Sequence, residues 1–334
     1  MSAESTRPTV ISRNAPSERP SRKPAVSARA RPRPNDPAVA QRLERLREVP
    51  PLPRVVPAPR DSPRPFVKWV GGKTQLLPAL FELLPRKFTG YHEVFVGGGA
   101  FFFGLSRADQ LKNHPVCLSD VNKELVSAYS AVRDEVSAVI RALEQHRHDR
   151  DHYYAMRAED PWSLSPAART ARLLYLNRTG FNGLYRVNRR GEFNVPFGRY
   201  DNPTICDANN LLAASKALRG VSIEHRSFES VLDRAERGDL VYFDPPYVPL
   251  SPTSNFTAYA QNGFGVKEQE KLADTFETLA RRGISVLLSN SDTPWVRERY
   301  AQHQIVGVSA RRNVSSRGGE RGPVGEVIVA AGPR

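Results

Sequence analysis

Short, almost wholly apolar runs are spaced along this chain between longer amphipathic and polar stretches, the pattern of buried strands interleaved with helices. Leu240-Val241-Tyr242-Phe243 is the clearest run and predicts a buried strand. Glu93-Val94-Phe95-Val96 predicts another, leading directly into Gly97-Gly98-Gly99, and Val116-Cys117-Leu118 a third, ending at Asp120. Asn122 is placed to N-cap a helix over 124–133, and polar helical sequence continues to about Leu174. From Asn177 to Tyr200 the pattern changes. Four glycines punctuate short strand-like pieces there, which predicts a β-hairpin with loops. Before residue 61 no such periodicity exists, and only Ala38 to Glu48 could form a short helix.

Composition narrows the class. A chain of 334 residues with 40% hydrophobic and 9% aromatic content can bury a large core in one elaborated domain or two. No apolar run is long enough to span a bilayer. Cys117 and Cys206 have no metal-ligand spacing and no reason to pair, so a cytoplasmic setting is expected. His146, His148 and His152 cluster within Arg/Asp-rich sequence, which predicts a solvated helix face rather than a metal site. The net charge of +14 favours a polyanionic partner. Residues 1–60 hold thirteen Lys/Arg against five Asp/Glu, a balance of +8 that leaves +6 for the remainder, and twelve of the 28 prolines. Such a segment is expected to be disordered, either a non-specific electrostatic arm for nucleic acid or a passive tail.

The candidate chemistry sits at the ends of the predicted strands, where open α/β sheets bind ligands. Asp244-Pro245-Pro246-Tyr247 follows the apolar run 240–243. Two prolines fix φ and remove two donors, so the turn offers a carboxylate, free carbonyls and a ring face. A planar group bearing N–H donors, such as a nucleobase with an exocyclic amine, fits that offer; a plain Pro-Pro turn with a capping Asp is the alternative. Gly-Gly-Lys-Thr at 71–74 is not a P-loop, because that motif needs glycine at position 67 and valine stands there. The glycines at 97–99, with Asp120 twenty-one residues beyond Gly99, form the strand, turn and acid arrangement that holds a nucleoside ribose. The segment 177–200 interleaves Arg, Asn and aromatic residues, the side chains that read bases and stack on them.

Taken together these motifs resemble the Dam-type, alpha-class (D12-type) DNA adenine-N6 methyltransferases. The resemblance runs from about Arg64 to Val329 through Lys68–Lys73, Phe95–Gly99, Leu118–Asn122, the segment from Asn177 to Arg186, Asp244–Tyr247, Asn255–Tyr259 and Leu287–Thr293. Val94 departs from the family's usual proline, and Asp201 from a frequent basic residue. The resemblance implies an α/β, Rossmann-like S-adenosylmethionine (SAM)-dependent fold, mostly parallel and seven-stranded, with an antiparallel strand near 325–330. It implies a catalytic domain at 61–122 and 208–334 and a helical plus β-hairpin target-recognition domain inserted at 123–207. Trp69, Lys73, Phe95, Gly97, Gly99, Asp120 and Asp244 would hold SAM. Asp244, Pro245 and Tyr247 would carry catalysis, with no metal. Lys68, Leu184, Arg186, Asn188 and Pro196 would read double-stranded DNA, Asn182 and Tyr200 would contact it nearby, and Phe181 would wedge beside a flipped base. The implied target is adenine in GATC and the implied active species a monomer, nucleoid-associated. Two rival classes are a SAM methyltransferase for another amino group and a DNA-binding relative without activity. Intact Lys73, Asp120 and Asp244 argue against the second.

Overall fold

In the computed structural model residues 62–248, 264–311 and 323–333 are described. The expected tail 1–60, its helix at 38–48 and the motif 255–259 lie outside the described residues.

Seven strands form one sheet in the order β3-β2-β1-β4-β5-β7-β6. They are β1 (Tyr91–Glu93), β2 (Val116–Asp120), β3 (Ser222–His225), β4 (Leu240–Phe243), β5 (Ser285–Ser291), β6 (Gln304–Arg311) and β7 (Pro323–Ala331). The first five run parallel, whereas β7 is antiparallel to both β5 and β6. All four residues of β4 and all seven of β5 are buried, as central parallel strands covered on both faces require. This is the α/β, Rossmann-like, mostly parallel seven-stranded sheet that the resemblance implies. Strand order reverses between β1 and β4, so the crevice beyond their C-terminal ends is the topological switch point where such sheets take ligands.

β1 lies ahead of the apolar run 93–96 that predicted it and meets that run only at Glu93, where it ends. Gly97 and Gly99 adopt left-handed φ values of 46° and 65°, and the chain leaves the ladder early to reach that turn. Helix α1 (Leu77–Glu82) precedes β1, and α2 (Ala100–Arg107) begins directly after Gly99.

The polar helical stretch resolves into three helices. α3 (Lys123–Glu144) starts where expected, with Asn122 Oδ1 accepting from Leu125 N at 2.9 Å, and is interrupted by non-helical geometry at Glu135. α4 (Arg150–Ala158) is capped by Asp149, and α5 (Pro166–Thr179) by Ser165 with proline in its first turn. α5 is buried along most of its length. Its Arg172 is satisfied by Glu124 at 3.1 Å and by the Met156 and Arg157 carbonyls. α6 (Ala208–Ala217), α7 (Val266–Arg281) and α8 (Pro294–Arg299) complete the α-helices of the described residues. One apolar cluster runs without a break from Tyr91 and Leu118 of the sheet to Tyr153 and Tyr175 of α4 and α5.

Two local expectations are corrected. Asn177–Thr179 belong to α5, and the predicted hairpin beyond them pairs through two isolated antiparallel bridges, Gly180–Phe197 and Val187–Phe193. Its polar side chains bond to its own backbone instead of leaving that backbone to a ladder. The histidine cluster is packed, not a solvated face. His146 stacks on Tyr175 with ring centroids 4.6 Å apart and lies 2.9 Å from His152, while His148 stacks on Phe197. Burial, helped by His152, lowers the His146 pKa to about 4.

Candidate active site and nucleic-acid interface

Asp244 begins the turn after β4, and three side chains converge behind it. Lys73 Nζ lies 2.8 Å from Asp244 Oδ1, and Ser289 Oγ donates to the same oxygen at 3.0 Å. The Tyr242 hydroxyl stands 2.9 Å from Ser289 Oγ. Burial pushes the Asp244 carboxyl up from its ordinary range, while Lys73 and Ser289 pull it down. Lys73 is itself buried; its Nζ also bonds to the Gly71 carbonyl and sits 4.6 Å above the Tyr247 ring. Lys73, which the resemblance assigns to SAM, is paired with Asp244 in this structure. Beyond Asp244 the turn is pinned. Gln269 donates to the Pro246 carbonyl at 2.7 Å, the Tyr247 hydroxyl to Glu326 at 3.0 Å, and Val248 N to Asn290 at 3.0 Å. Among the described residues no donor reaches the Pro245 carbonyl.

Beside this turn lies the glycine loop after β1. A Cβ on Gly97 would stand 2.8 Å from Trp69 Cδ1, and one on Gly99 2.6 Å from the Tyr129 hydroxyl, which donates to the Gly97 carbonyl. Asp120 Oδ2 accepts from Gly97 N at 3.2 Å and Oδ1 from Asn122 N at 2.9 Å. Each oxygen keeps lone-pair capacity for a further donor. Burial raises the Asp120 carboxyl and the backbone donors oppose it. Trp69 stacks on Tyr185 with centroids 5.0 Å apart. Phe95 packs instead among Phe228, Phe243 and Phe264, supporting the loop from below. A cradle only glycine fits, a ribose-type acceptor at its edge, an aromatic wall and a buried ammonium suit SAM.

The expected DNA-contacting residues lie on the segment after α5 and, for Lys68, on the irregular segment before Gly71. Asn177 joins the two: its Oδ1 accepts from Lys68 N at 2.7 Å, and its Nδ2 donates to the Lys68 and Gly183 carbonyls at 2.9 Å each. Lys68 is exposed, with Nζ 5.3 Å above the Tyr200 ring. Phe181 is 49% exposed, and Asn182 beside it holds a left-handed φ of 55°. Pro196 is exposed, its carbonyl accepting from Phe181 N at 2.9 Å. Arg186 is exposed but tethered, Nε to Asn194 Oδ1 at 2.7 Å and Nη2 to the Asn194 carbonyl at 3.1 Å. Asn188 spends its side chain on the turn, bonding Arg190 N, Glu192 N and the Glu192 carboxylate. Leu184 is half-buried beside Tyr185.

The D12 class N6 adenine-specific DNA methyltransferase model matches residues 69–314. The chain belongs to that family. The methyltransferase is 40% identical to the type II methyltransferase M1.LlaDCHI of Lactococcus lactis subsp. cremoris, an alignment covering 80% of this chain and 94% of the relative. It is 39% identical to the DNA adenine methylase of Escherichia coli K12 over 81% of this chain and 96% of that protein. To the type II methyltransferase M.MjaIII of Methanocaldococcus jannaschii it is 38% identical over 77% and 95%. Among the described residues the methyltransferase has no cluster that could hold a metal ion and no helix long and apolar enough to cross a membrane.

Sequence reasoning missed Ser289, Tyr242, Asn177 and Glu93. Ser289 lies within the motif 287–293, but no residue-level signal marked its hydroxyl. Glu93 ends β1, accepting from the Tyr91 hydroxyl at 2.6 Å and from Phe102 N at 3.0 Å, and burial raises its carboxyl to about 8. A lone acid opening an apolar run is the signal that could have found it.

Proposed function

We propose that this methyltransferase transfers a methyl group from SAM to N6 of an adenine flipped out of double-stranded DNA, within GATC. The observation that carries the reading is Asp244 held by Lys73 at 2.8 Å at the end of β4, the strand beside β1 and its glycine loop, with no donor to the Pro245 carbonyl among the described residues. SAM, when bound, supplies an electrophilic methyl group on a sulfonium sulfur.

Adenine N6 is a poor nucleophile because its lone pair is delocalised into the ring. Asp244 and the Pro245 carbonyl would accept the two amino hydrogens and so hold N6 with its lone pair aimed at the cradle. Orientation and placement of negative charge beside the developing ammonium are the main protein contributions. The ionised form of Asp244 is the better acceptor; burial raises its carboxyl, and the Lys73 ammonium at 2.8 Å opposes that rise. Tyr247 carries the Lys73 ammonium over one ring face, and the other would take the flipped base. Trp69, Asp120 and the 97–99 loop would hold the cofactor. We assign the recognition role to residues 123–207, with Phe181 as the wedge. Lys68, Leu184, Arg186, Asn188 and Pro196 would read bases, and Asn182 and Tyr200 would touch the strand nearby.

The test is plasmid DNA treated with enzyme and SAM, then digested with methylation-sensitive and methylation-dependent nucleases of GATC specificity. Protection from the first and cutting by the second are expected. Asp244→Ala should abolish both effects and leave DNA binding intact in a gel-shift titration, because the DNA-contacting segment lies elsewhere. A variant that still protects GATC sites would overturn the mechanism.

A further inference from the structure

Ser289 and Tyr242 stand behind Asp244 for a topological reason. Phe243 of β4 pairs in parallel register with Leu288 of β5, so Asp244 and Ser289 are the next residues on adjacent strands. Tyr242 is two residues before Asp244 and shares its side of the sheet. Both Ser289 and Tyr242 are buried. Ser289 has one hydroxyl proton, and its Oγ donates that proton to Asp244 Oδ1 at 3.0 Å. The contact of 2.9 Å between Tyr242 and Ser289 must then be a donation from the tyrosine. The chain of donors therefore has one direction, from Tyr242 to Ser289 to Asp244.

Lys73 binds the same Oδ1 at 2.8 Å. Two donors on separate elements load one carboxylate oxygen, and among the described residues none reaches Oδ2. An aspartate is soft in its second torsion, so a lysine on a flexible stem would leave the carboxylate free to rotate. A hydroxyl fixed to the sheet would not. We propose that Ser289, backed by Tyr242, is a positioning residue that holds the Asp244 carboxylate with Oδ1 turned inward and Oδ2 presented to the substrate amino group.

The inference rests on the reading of Asp244 as the acceptor for the amino group. It is tested in the full chain by single-turnover methylation of a GATC duplex across pH, with SAM and DNA dissociation constants measured in parallel. Ser289→Ala should slow transfer roughly tenfold, the loss expected for one hydrogen bond to a charged group, with both dissociation constants unchanged. Tyr242→Phe should slow it less, since Ser289 still donates.

The pH profile adds a readout that a purely structural role would not move. The groups facing Asp244 are Lys73 from the loop before α1, Glu93 from β1, Tyr242 of β4 and Tyr247 after it, with Glu326 of β7 reaching it through Tyr247. Ser289 pulls the carboxyl down, so its loss should move the acid limb of the rate to higher pH. An unchanged rate, or a loss matched by weaker SAM binding with the acid limb in place, overturns the proposal. Asp244→Ala separates the two levels. If it keeps turnover, the reading and the inference both fall; if it is inert while Ser289→Ala matches wild type, only the inference falls.

Discussion

At the residue scale, Arg186, proposed above to read a base, is already held in place by its neighbour. Its Nε and Nη2 grip Asn194, which fixes the guanidinium plane before DNA arrives and leaves Nη1 and a second Nη2 hydrogen for bidentate contact. In the proposed GATC site the guanine opposite the last cytosine is its target. Arg186→Ala should cost on the order of 1–3 kcal/mol at that base pair alone. Sites altered at the fourth position should then be methylated nearly as well as GATC, with discrimination at the first position, assigned to Lys68, intact. Turnover on GATC and its single-base variants checks this, and a uniform loss would mean a phosphate contact only. Glu93 gives a second expectation. Its carboxyl is raised to about 8 from 4.5, so its neutral form is the one the fold prefers. The stability it contributes is complete below the unfolded value and is lost as pH rises through about 8. Glu93→Gln keeps the shape without the charge and should gain stability relative to wild type across that window in denaturant unfolding. Such residues were hard to read in sequence, because a buried acid and an exposed one are written with the same letter. Asp244, Asp120 and the glycines at 97–99 could be singled out because each stands at or just beyond the end of an apolar run, whereas Lys73 was marked only by the resemblance.

At the element scale, Asn177 is the joint between the segment that would touch DNA and the one that carries Lys68, Trp69 and Lys73. It is fully buried and makes three hydrogen bonds, two to Lys68 and one to Gly183. Asn177→Ala should destabilise the protein by about 2–3 kcal/mol, because buried backbone groups lose their partners. It should also weaken specific DNA binding more than SAM binding, measured by unfolding and by titration with each ligand. The sequence placed Asn177 in a hairpin; the structure puts it on the last turn of α5, which is why its side chain can reach both backbones. Local pattern could not separate helix from hairpin there, since the contacts that decide it come from Lys68, far away in the chain. The strands were read more accurately because their apolar runs are continuous. β1 alone ended early, drawn off by a left-handed turn whose position only the folded loop defines.

At the scale of the whole molecule, charge is divided unevenly, with +8 of the net +14 carried by residues 1–60. Removing that segment should lower non-specific DNA affinity and flatten its dependence on salt, because fewer counterions are released on binding, while sequence preference survives. An unchanged slope of affinity against salt in the truncated protein would make the segment a bystander.

The sheet order has a consequence for how the chain comes to be folded. Its centre pairs Tyr91 with Leu240, and the neighbouring pair joins Cys117 to Ser222. Everything from α3 to α6 is enclosed by those two registers. Contacts so distant in sequence close slowly, whereas the helix pairs inside the enclosed segment are local and form fast. During synthesis Lys73 and the glycine turn emerge well before Asp244. The enclosed helices can therefore be compact while the catalytic crevice still lacks one of its walls, and activity should be the last property to appear on refolding.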